Sequence, residues 1–269
     1  MSKKTARHIV SLSGGKDSAA MAVYLRDRVP AAEYVFCDTD KELPETYEYL
    51  TRLEAYLGKR VTVLTHGGRD FDHWLTMYGG YLPSPKMRWC TKHLKLHPFE
   101  RFVGDSEAIS YVGIRADEDR EGLLSHRPNL RTVFPFREDG ITKRDVYQIL
   151  EDAGLGLPAY YRWRSRSGCY FCFFQQKIEW VGLLENHPGW FEKACNYEGR
   201  NPLTGTAFYW TDESLRDLSR PERVAAIKAE FARRQEADAT RPGNRKLMEI
   251  LADGLDDGSG ADACLICRL

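Results

Sequence analysis

A short glycine-containing segment near the start of the chain has the composition of a phosphate-binding loop. It follows a β-prone run at residues 8–12 and reads Ser13, Gly14, Gly15, Lys16, Asp17 and Ser18. Glycines let backbone N–H groups approach phosphate oxygens, and the amino terminus of a following helix favours an anion. Lys16 adds a positive charge, and the hydroxyls of Ser13 and Ser18 are available donors. The spacing fits neither the Walker loop nor the dinucleotide fingerprint.

The elements around this loop alternate between strand and helix over the first 140 residues. Residues 8–12, 34–37, 61–64 and 108–112 read as strands, and residues from 17 onward, 44–57 and 89–102 as helices. Such alternation predicts an α/β fold with a parallel, twisted sheet and flanking helices. Parallel sheets bind ligands at the carboxyl ends of their strands, which is where the loop lies.

The pattern changes after residue 140. Thr142 is a good cap for a helix that Gly154 ends, and no series of strands follows. We therefore expect an ATP-binding domain over residues 1–140 and a mainly helical, cysteine-bearing substrate domain over residues 141–269. Residues 252–263 are rich in Gly, Asp and Ala and predict a flexible lead to the terminal cysteines.

Three motifs in order resemble one superfamily. The Ser-Gly-Gly-Lys-Asp-Ser loop resembles the PP-loop of ATP pyrophosphatases, which include tRNA thiolation enzymes and sulfonucleotide reductases. Residues 37–47 are similar to the segment after the second strand in the PAPS reductase branch, and residues 113–120 to its arginine-bearing loop after the fourth strand. The resemblance implies an adenine nucleotide alpha hydrolase-like fold. It also implies that ATP, accompanied by Mg²⁺, is cleaved between the α and β phosphates so that AMP is placed on the substrate.

Further site residues follow from this resemblance and from their positions. Asp38 ends the second strand, where an acid commonly meets a ribose hydroxyl, although a helix cap ahead of Pro44 would also explain it. Arg115 and Arg120 are candidate catalytic residues beside Lys16 and Asp17, because they can neutralise developing phosphate charge. Surface ion pairs are the alternative for both arginines.

The seven cysteines suit metal or sulfur chemistry better than a disulfide framework, since we expect a reducing compartment. Two residues separate Cys169 from Cys172, and two separate Cys264 from Cys267. Cys90 resembles the cysteine of iron–sulfur members of the PAPS reductase branch. Three arrangements stay open: a 4Fe-4S cluster on Cys90, Cys169, Cys172 and one terminal cysteine, Cys264 being our choice; a zinc site from the two pairs; and unmetallated thiols. Cys37 and Cys195 are assigned to packing.

Charge gives a local signal only. With 39 basic and 39 acidic residues the formal net charge is zero, so no global field attracts nucleic acid. Arg162, Arg164 and Arg166 lie beside Tyr160 and Tyr161, a composition that suits a single-stranded nucleic acid groove or a packed hinge. We expect the three arginines to line the substrate entrance.

The sequence as a whole predicts an adenylating sulfurtransferase, similar to the sulfur-inserting enzyme of DNA phosphorothioation or to cluster-bearing tRNA thiolases. The alternatives are a sulfonucleotide reductase and a non-catalytic nucleotide- or cluster-binding subunit of a modification or defence complex. The expected partners are ATP, a phosphate-bearing acceptor such as DNA or RNA, a sulfur donor and partner subunits. The start of the chain does not resemble a signal peptide and no apolar run approaches about 18 residues, so we expect a cytoplasmic protein without a membrane association.

Overall fold

The structure is a computed structural model that describes residues 6–119, 127–200 and 207–240 of the 269-residue chain. The chain forms two compact units. Unit 1 contains the described residues up to Trp74 together with Trp89–Cys169, and unit 2 contains Leu75–Arg88 and the described residues from Tyr170 onward. The units thus divide beside Cys169, whereas the sequence suggested residue 140.

Unit 1 is built on a five-stranded, wholly parallel sheet with strand order β3-β2-β1-β4-β5. Its strands are β1 (Arg7–Leu12), β2 (Glu33–Cys37), β3 (Val61–Leu64), β4 (Ala108–Tyr111) and β5 (Leu130–Val133). Its main helices are α1 (Lys16–Leu25), α2 (Pro44–Leu57), α3 (Phe71–Met77, which runs on into unit 2), α4 (Trp89–Thr91), α5 (His97–Val103), α6 (Pro135–Glu138) and α7 (Lys143–Asp152). The parallel α/β fold predicted from the alternating pattern is confirmed.

Both faces of the sheet are buried because successive strand residues point to opposite sides. Val10, Tyr34 and Phe36 pack on one side with apolar residues of α1, α2 and α7. Ile9 and Val35 pack on the other side with Phe99 and Val103 of α5. The sheet is therefore a rigid platform, and the carboxyl ends of β1, β2 and β3 lie at a common edge.

Two features of unit 1 were not predicted from the sequence pattern. The predicted helix at 89–102 contains a π-helical segment, Lys92–Leu96, between α4 and α5. Strand β5 was not predicted, since it is four residues long with only Leu130 buried. The capping box at Thr142 and Asp145 confirms the predicted start of α7.

Unit 2 is mainly helical, as expected for the second half of the chain. It contains α8 (Lys177–Asn186), α9 (Pro188–Cys195), α10 (Leu215–Leu218) and α11 (Pro221–Thr240), with a small hairpin of β6 (Gly199–Arg200) and β7 (Ala207–Phe208). Buried Phe171 stacks on Trp210 with ring centroids 5.0 Å apart. Among the described helices, none is both long enough and apolar enough to cross a bilayer.

One carboxylate ties three segments of unit 2 together. Glu213 accepts a bidentate pair of hydrogen bonds from Arg223, Nε to Oε2 and Nη2 to Oε1, and another from Lys177. These contacts lower the pKa of Glu213 from 4.5 to about 2, and the hydrogen bonds from Arg223 have the largest effect. A lowered folded-state pKa stabilises the fold above the ordinary pKa, and this stability is lost as pH falls from about 4.5 towards 2.

Glu213→Gln is therefore expected to lower the unfolding free energy near neutral pH by about 1 kcal/mol, a value reduced by solvent screening. The difference from the parent should shrink as pH falls from about 4.5 to 2, and urea unfolding at several pH values measures it. The matched control is Glu230→Gln, which removes a surface i,i+4 pair with Arg234. An equal loss for both variants at neutral pH would contradict the ascribed role of Glu213.

Candidate functional site

The predicted phosphate loop joins the end of β1 to the start of α1. Gly14 has a left-handed backbone with φ +71, and Gly15 is the N-cap residue of α1. Ser18 Oγ accepts a hydrogen bond from the Ser13 N–H and donates one to the Gly15 carbonyl, which holds the loop closed. The turn thus places glycine backbone at the amino end of a ten-residue helix, the arrangement that binds anions.

A second segment, residues 160–167, covers this loop within unit 1. Tyr160 donates a hydrogen bond of 2.7 Å from its hydroxyl to the Gly14 carbonyl, and the Lys16 N–H donates to the Tyr161 hydroxyl at 3.1 Å. Ser167 donates to the Ser13 hydroxyl. A cavity between the loop and this segment is lined by Ser13, Gly15, Lys16, Asp17, Tyr161, Ser165, Arg166 and Ser167. Its lining supplies N–H, hydroxyl, ammonium and guanidinium groups, all donors for an oxyanion.

Asp17 lies at the centre of a buried ion network. Its two carboxylate oxygens accept from Lys16 at 3.0 Å and from Arg115 at 2.7 Å. Arg115 also pairs with Asp117 and Glu118. Burial acts to lower the pKa of Arg115, but the three carboxylates outweigh this effect and raise the pKa. Asp17 therefore fixes the direction of Lys16, while Arg115 is already countered by three acids.

Lys16 and Asp17 are each only 5% exposed. This part of the loop is therefore buried and not exposed at the surface. Removing the Asp17 carboxylate would take a partner from two buried cations, which costs stability.

The tight approach of α2 to the loop yields a stability prediction. A Cβ on Gly14 would lie 2.3 Å from Thr46 Cγ2. The matched control is Gly58, which has a similar φ of +65 and nothing within 4 Å of its added Cβ. Each alanine should cost about 1–2 kcal/mol of left-handed strain, and Gly14→Ala about 1–3 kcal/mol more through the clash.

Urea unfolding of both variants checks this expectation. Replacing Thr46 by serine removes the clashing methyl group, so Gly14→Ala should cost less in a Thr46→Ser background than in the parent. If Gly14→Ala and Gly58→Ala lose the same stability, the close packing of α2 on the loop is refuted.

The end of β2 carries an acidic turn that includes the predicted ribose contact. Asp38 Oδ1 accepts hydrogen bonds from the Asp40 N–H and the Tyr47 hydroxyl, each at 2.8 Å. Asp40 has a left-handed backbone with φ +58, which aspartate tolerates better than most residues. Asp38 is thus a held side chain at the carboxyl edge of the sheet, one strand away from the phosphate loop.

Cys169 lies beside this acidic turn in unit 1. Its Sγ is 3.2 Å from Thr39 Oγ1 and 3.9 Å from Glu42 Oε1. Burial raises the pKa of the Glu42 carboxyl, an effect that the Lys95 charge opposes. A raised pKa makes the ionised carboxylate a stronger base, and its contact with Sγ is close enough for Glu42 to exchange a proton with the thiol.

The remaining cysteines differ in their surroundings. Burial raises the pKa of Cys37 and of Cys195 to about 11, so both thiols stay protonated near neutral pH, as suits packing residues. Cys90 is half-buried in unit 1, and Cys172 is buried in unit 2.

The described ranges contain no group of three or more His, Cys, Asp or Glu side chains placed to hold a metal ion. Cys90, Cys169 and Cys172 form no such group, so the described part of the chain does not by itself supply the expected cluster site. Cys264, the fourth predicted ligand, and Cys267 lie outside the described residues. The cluster, like its zinc alternative, stays a prediction.

The sequence predicted the positions of the arginines at residues 162, 164 and 166 only in part. Arg166 lines the cavity, and Arg162 is exposed. The expectation that Arg164 lines the substrate entrance is wrong, because Arg164 is 3% exposed and donates to the carbonyls of Gly168 and Cys169. Arg120 lies outside the described residues.

The covering residues Tyr160, Tyr161, Ser165 and Ser167 were not predicted as site residues. Their sequence signal was an unspecific mixture of aromatic and basic residues, which suits a groove and a hinge equally well.

Comparison with known proteins shows that a family model matches the part of the chain that contains the phosphate loop. The family model of the phosphoadenosine phosphosulfate reductase domain matches residues 7–162, which include the loop and the first three residues of its cover. An uncharacterised protein of Methanocaldococcus jannaschii is 26% identical over 199 residues, covering 69% of this chain and 40% of that protein. The chain therefore spans less than half the length of that relative.

Two solved structures are also similar. Phosphoadenylyl-sulfate reductase from Candida auris, as a phosphate complex, is 12% identical with a TM-score of 0.49, covering 63% of this chain and 84% of that one. A U34-tRNA thiolase from Methanococcus maripaludis with its 4Fe-4S cluster is 16% identical with a TM-score of 0.42, covering 72% of this chain and 71% of that one.

Proposed function

Because the chain belongs to the phosphoadenosine phosphosulfate reductase domain family, we propose that it is an ATP-dependent adenylating sulfurtransferase that activates an oxygen of a phosphate-bearing acceptor. The observation that carries the proposal is the cavity over the loop, whose lining supplies several oxyanion donors, while its one carboxylate, Asp17, is already paired with Lys16 and Arg115. A triphosphate has the charge and the acceptor oxygens that this lining requires.

The chain's own residues have distinct tasks in this proposal. The loop N–H groups and Lys16 hold the departing β and γ phosphates, while Asp17 directs the Lys16 ammonium. ATP must displace the Tyr161 hydroxyl from the Lys16 N–H, so the cover segment gives way when nucleotide binds. Asp38 receives the ribose hydroxyl at the end of β2. Mg²⁺ bound together with ATP would neutralise phosphate charge, and Asp17 would not hold it directly, because both of its carboxylate oxygens already accept hydrogen bonds from Lys16 and Arg115.

In this proposal the reaction has two displacements, adenylation of the acceptor and then insertion of sulfur. The acceptor oxygen forms a bond to the α phosphorus while the α–β bridge bond breaks, and pyrophosphate leaves with its electron pair. The outer sulfur of a persulfide supplied by the donor next attacks the activated acceptor atom, and AMP leaves with the former acceptor oxygen. A small thiol then cleaves the acceptor–S–S–carrier bond, so that the acceptor keeps the outer sulfur and the carrier sulfur forms a disulfide with that thiol. Glu42 beside Cys169 takes the thiol proton if Cys169 relays the sulfur. No step depends on an iron–sulfur cluster.

The test is pyrophosphate release from ATP in the presence of separate acceptor classes: single-stranded DNA, duplex DNA, transfer RNA and mononucleotides. We expect release with one class and none without acceptor. Tight ATP binding without release for any class would favour a non-catalytic nucleotide-binding subunit.

The matching family model favours one second candidate, a sulfonucleotide reductase. That enzyme would release sulfite from phosphoadenosine phosphosulfate in the presence of a dithiol, without ATP. The same preparation assayed for sulfite distinguishes the two activities, and sulfite formation without pyrophosphate release would replace our proposal.

A further inference from the structure

A cluster of imidazoles and guanidiniums lies at the carboxyl end of β3, outside the site described above. His66 follows β3, His93 and His97 lie one turn apart on the π-helical segment and α5, and Arg69 and Arg101 flank them. The His66 ring centroid is 6.3 Å from that of His93 and 5.8 Å from that of His97, and His93 lies 5.1 Å from His97. Five groups that carry or can take positive charge thus share one small region.

The arginines of this cluster have no acid of their own. Within the described part of the chain, the side chains of Arg69 and Arg101 make no hydrogen bond and no ion pair. The Arg101 guanidinium reaches the loop after β3, 3.7 Å from the position of a Cβ on Gly67, and Gly67 and Gly68 both have left-handed backbones. Buried position and the charge of Arg101 lower the pKa of His66. The charged groups that act on His66, namely Arg101, His97 and Arg69, are all basic.

Two buried polar atoms indicate which kind of ligand this cluster can bind. Trp74 Nε1 and His66 Nδ1 are buried without a hydrogen-bond partner among the described residues, and their rings meet edge to face at 5.4 Å. Trp74 is also fixed by stacking on His93, with ring centroids 3.6 Å apart. An indole N–H can only donate, so its partner must be an acceptor such as an oxygen. A metal ion would leave the indole unsatisfied, whereas an oxyanion satisfies both atoms when the neutral His66 ring carries its hydrogen on Nδ1.

We propose that His66, Trp74, His97, Arg69 and Arg101 form a second oxyanion site, which binds a phosphate group. Strand β2 separates β3 from β1, so this site and the phosphate loop lie two strands apart on the same edge, about 10 Å along the sheet. That spacing suits a phosphate of the acceptor while ATP fills the loop. Its assignment to the acceptor rests on the proposed function, but phosphate binding does not.

The test follows the Trp74 indole N–H resonance of the full chain during titration with inorganic phosphate, with the resonance assigned through Trp74→Phe. We expect a saturable shift in the parent and also in Lys16→Ala, which isolates the response from the phosphate loop. Arg101→Ala should weaken the apparent affinity about tenfold or more, the size of a lost charge-assisted contact. Arg60→Ala is the matched control, an exposed arginine that precedes β3 at the opposite edge of the sheet, and should leave the affinity unchanged.

Two further titrations distinguish the source of the phosphate. A single-stranded oligonucleotide that shifts the indole at lower concentration than a ribonucleoside 3′,5′-bisphosphate identifies a nucleic acid backbone, and the reverse order identifies a mononucleotide. An indole that does not respond to phosphate, an unchanged affinity in Arg101→Ala, or a response to Zn²⁺ alone would overturn the site. A phosphate response without pyrophosphate release for any acceptor would leave the site standing and refute the proposed function.

Discussion

Replacing Arg115 by methionine is expected to destabilise unit 1 by about 3–5 kcal/mol, the largest loss of any single change proposed for this protein. The guanidinium lies between Asp17 and Glu118, and all three side chains are 10% exposed or less. Methionine keeps much of the apolar stem but leaves these carboxylates without their shared cation. The loop should then lose its geometry, so nucleotide binding should fall with stability. Urea unfolding and ATP titration measure the two effects.

Two comparisons separate this network from a general effect of losing an arginine. Arg131→Met removes an exposed arginine on β5 and should change the unfolding free energy by less than about 0.5 kcal/mol. Arg115→Met should cost less in a Glu118→Gln background than in the parent, because one buried charge is already gone. Additive losses from Arg115→Met and Glu118→Gln would contradict direct coupling between the two side chains.

Lys16→Ala is expected to lower the rate of pyrophosphate release by about 10²–10³-fold, the usual cost of removing one preorganised donor from a developing anion. Asp17 holds the Lys16 ammonium at 3.0 Å, so its position costs little reorganisation when charge develops on the leaving phosphates. The Arg115 contact to Asp17 remains in this variant, and the fold should therefore persist. Pyrophosphate release under saturating ATP, together with thermal unfolding, measures the change.

Lys143→Ala is the control for this variant, since Lys143 is an exposed lysine at the start of α7. It should release pyrophosphate at the parental rate. Equal rates for Lys16→Ala and the parent would exclude Lys16 from the reaction.

The sequence predicted the sheet well where local pattern and burial agree. Helix α2 and strand β3 have the predicted bounds, because α2 begins at Pro44 and ends before Gly58 and β3 is a short β-branched run. The π-helical segment at Lys92–Leu96 could not be predicted from periodicity, since its apolar spacing is that of an ordinary helix. That segment places His93 opposite Trp74, so the cluster at the end of β3 was also not visible in the sequence.

The parts of the site that the sequence missed depend on contacts between distant residues. Tyr161 lies 145 positions from Lys16 and Tyr160 lies 146 from Gly14, and no local signal links these pairs. Arg115 was identified as a site residue by resemblance, but its three acidic partners could not be inferred from its position in a loop. The cysteines show the same limit, since a two-residue spacing allows a metal site without providing the remaining ligands.

The central claim is that the loop and its cover bind ATP so that the α phosphorus reacts. The most direct measurement uses ATP radiolabelled at either the α or the γ phosphate, with the acceptor class that gives turnover. Label from the α position should first appear in an acceptor–AMP adduct, which is isolated by quenching the reaction with acid, and later in free AMP. Label from the γ position should appear in pyrophosphate. Formation of ADP with γ label in orthophosphate would contradict the claim, because the bond broken would then be the β–γ bridge.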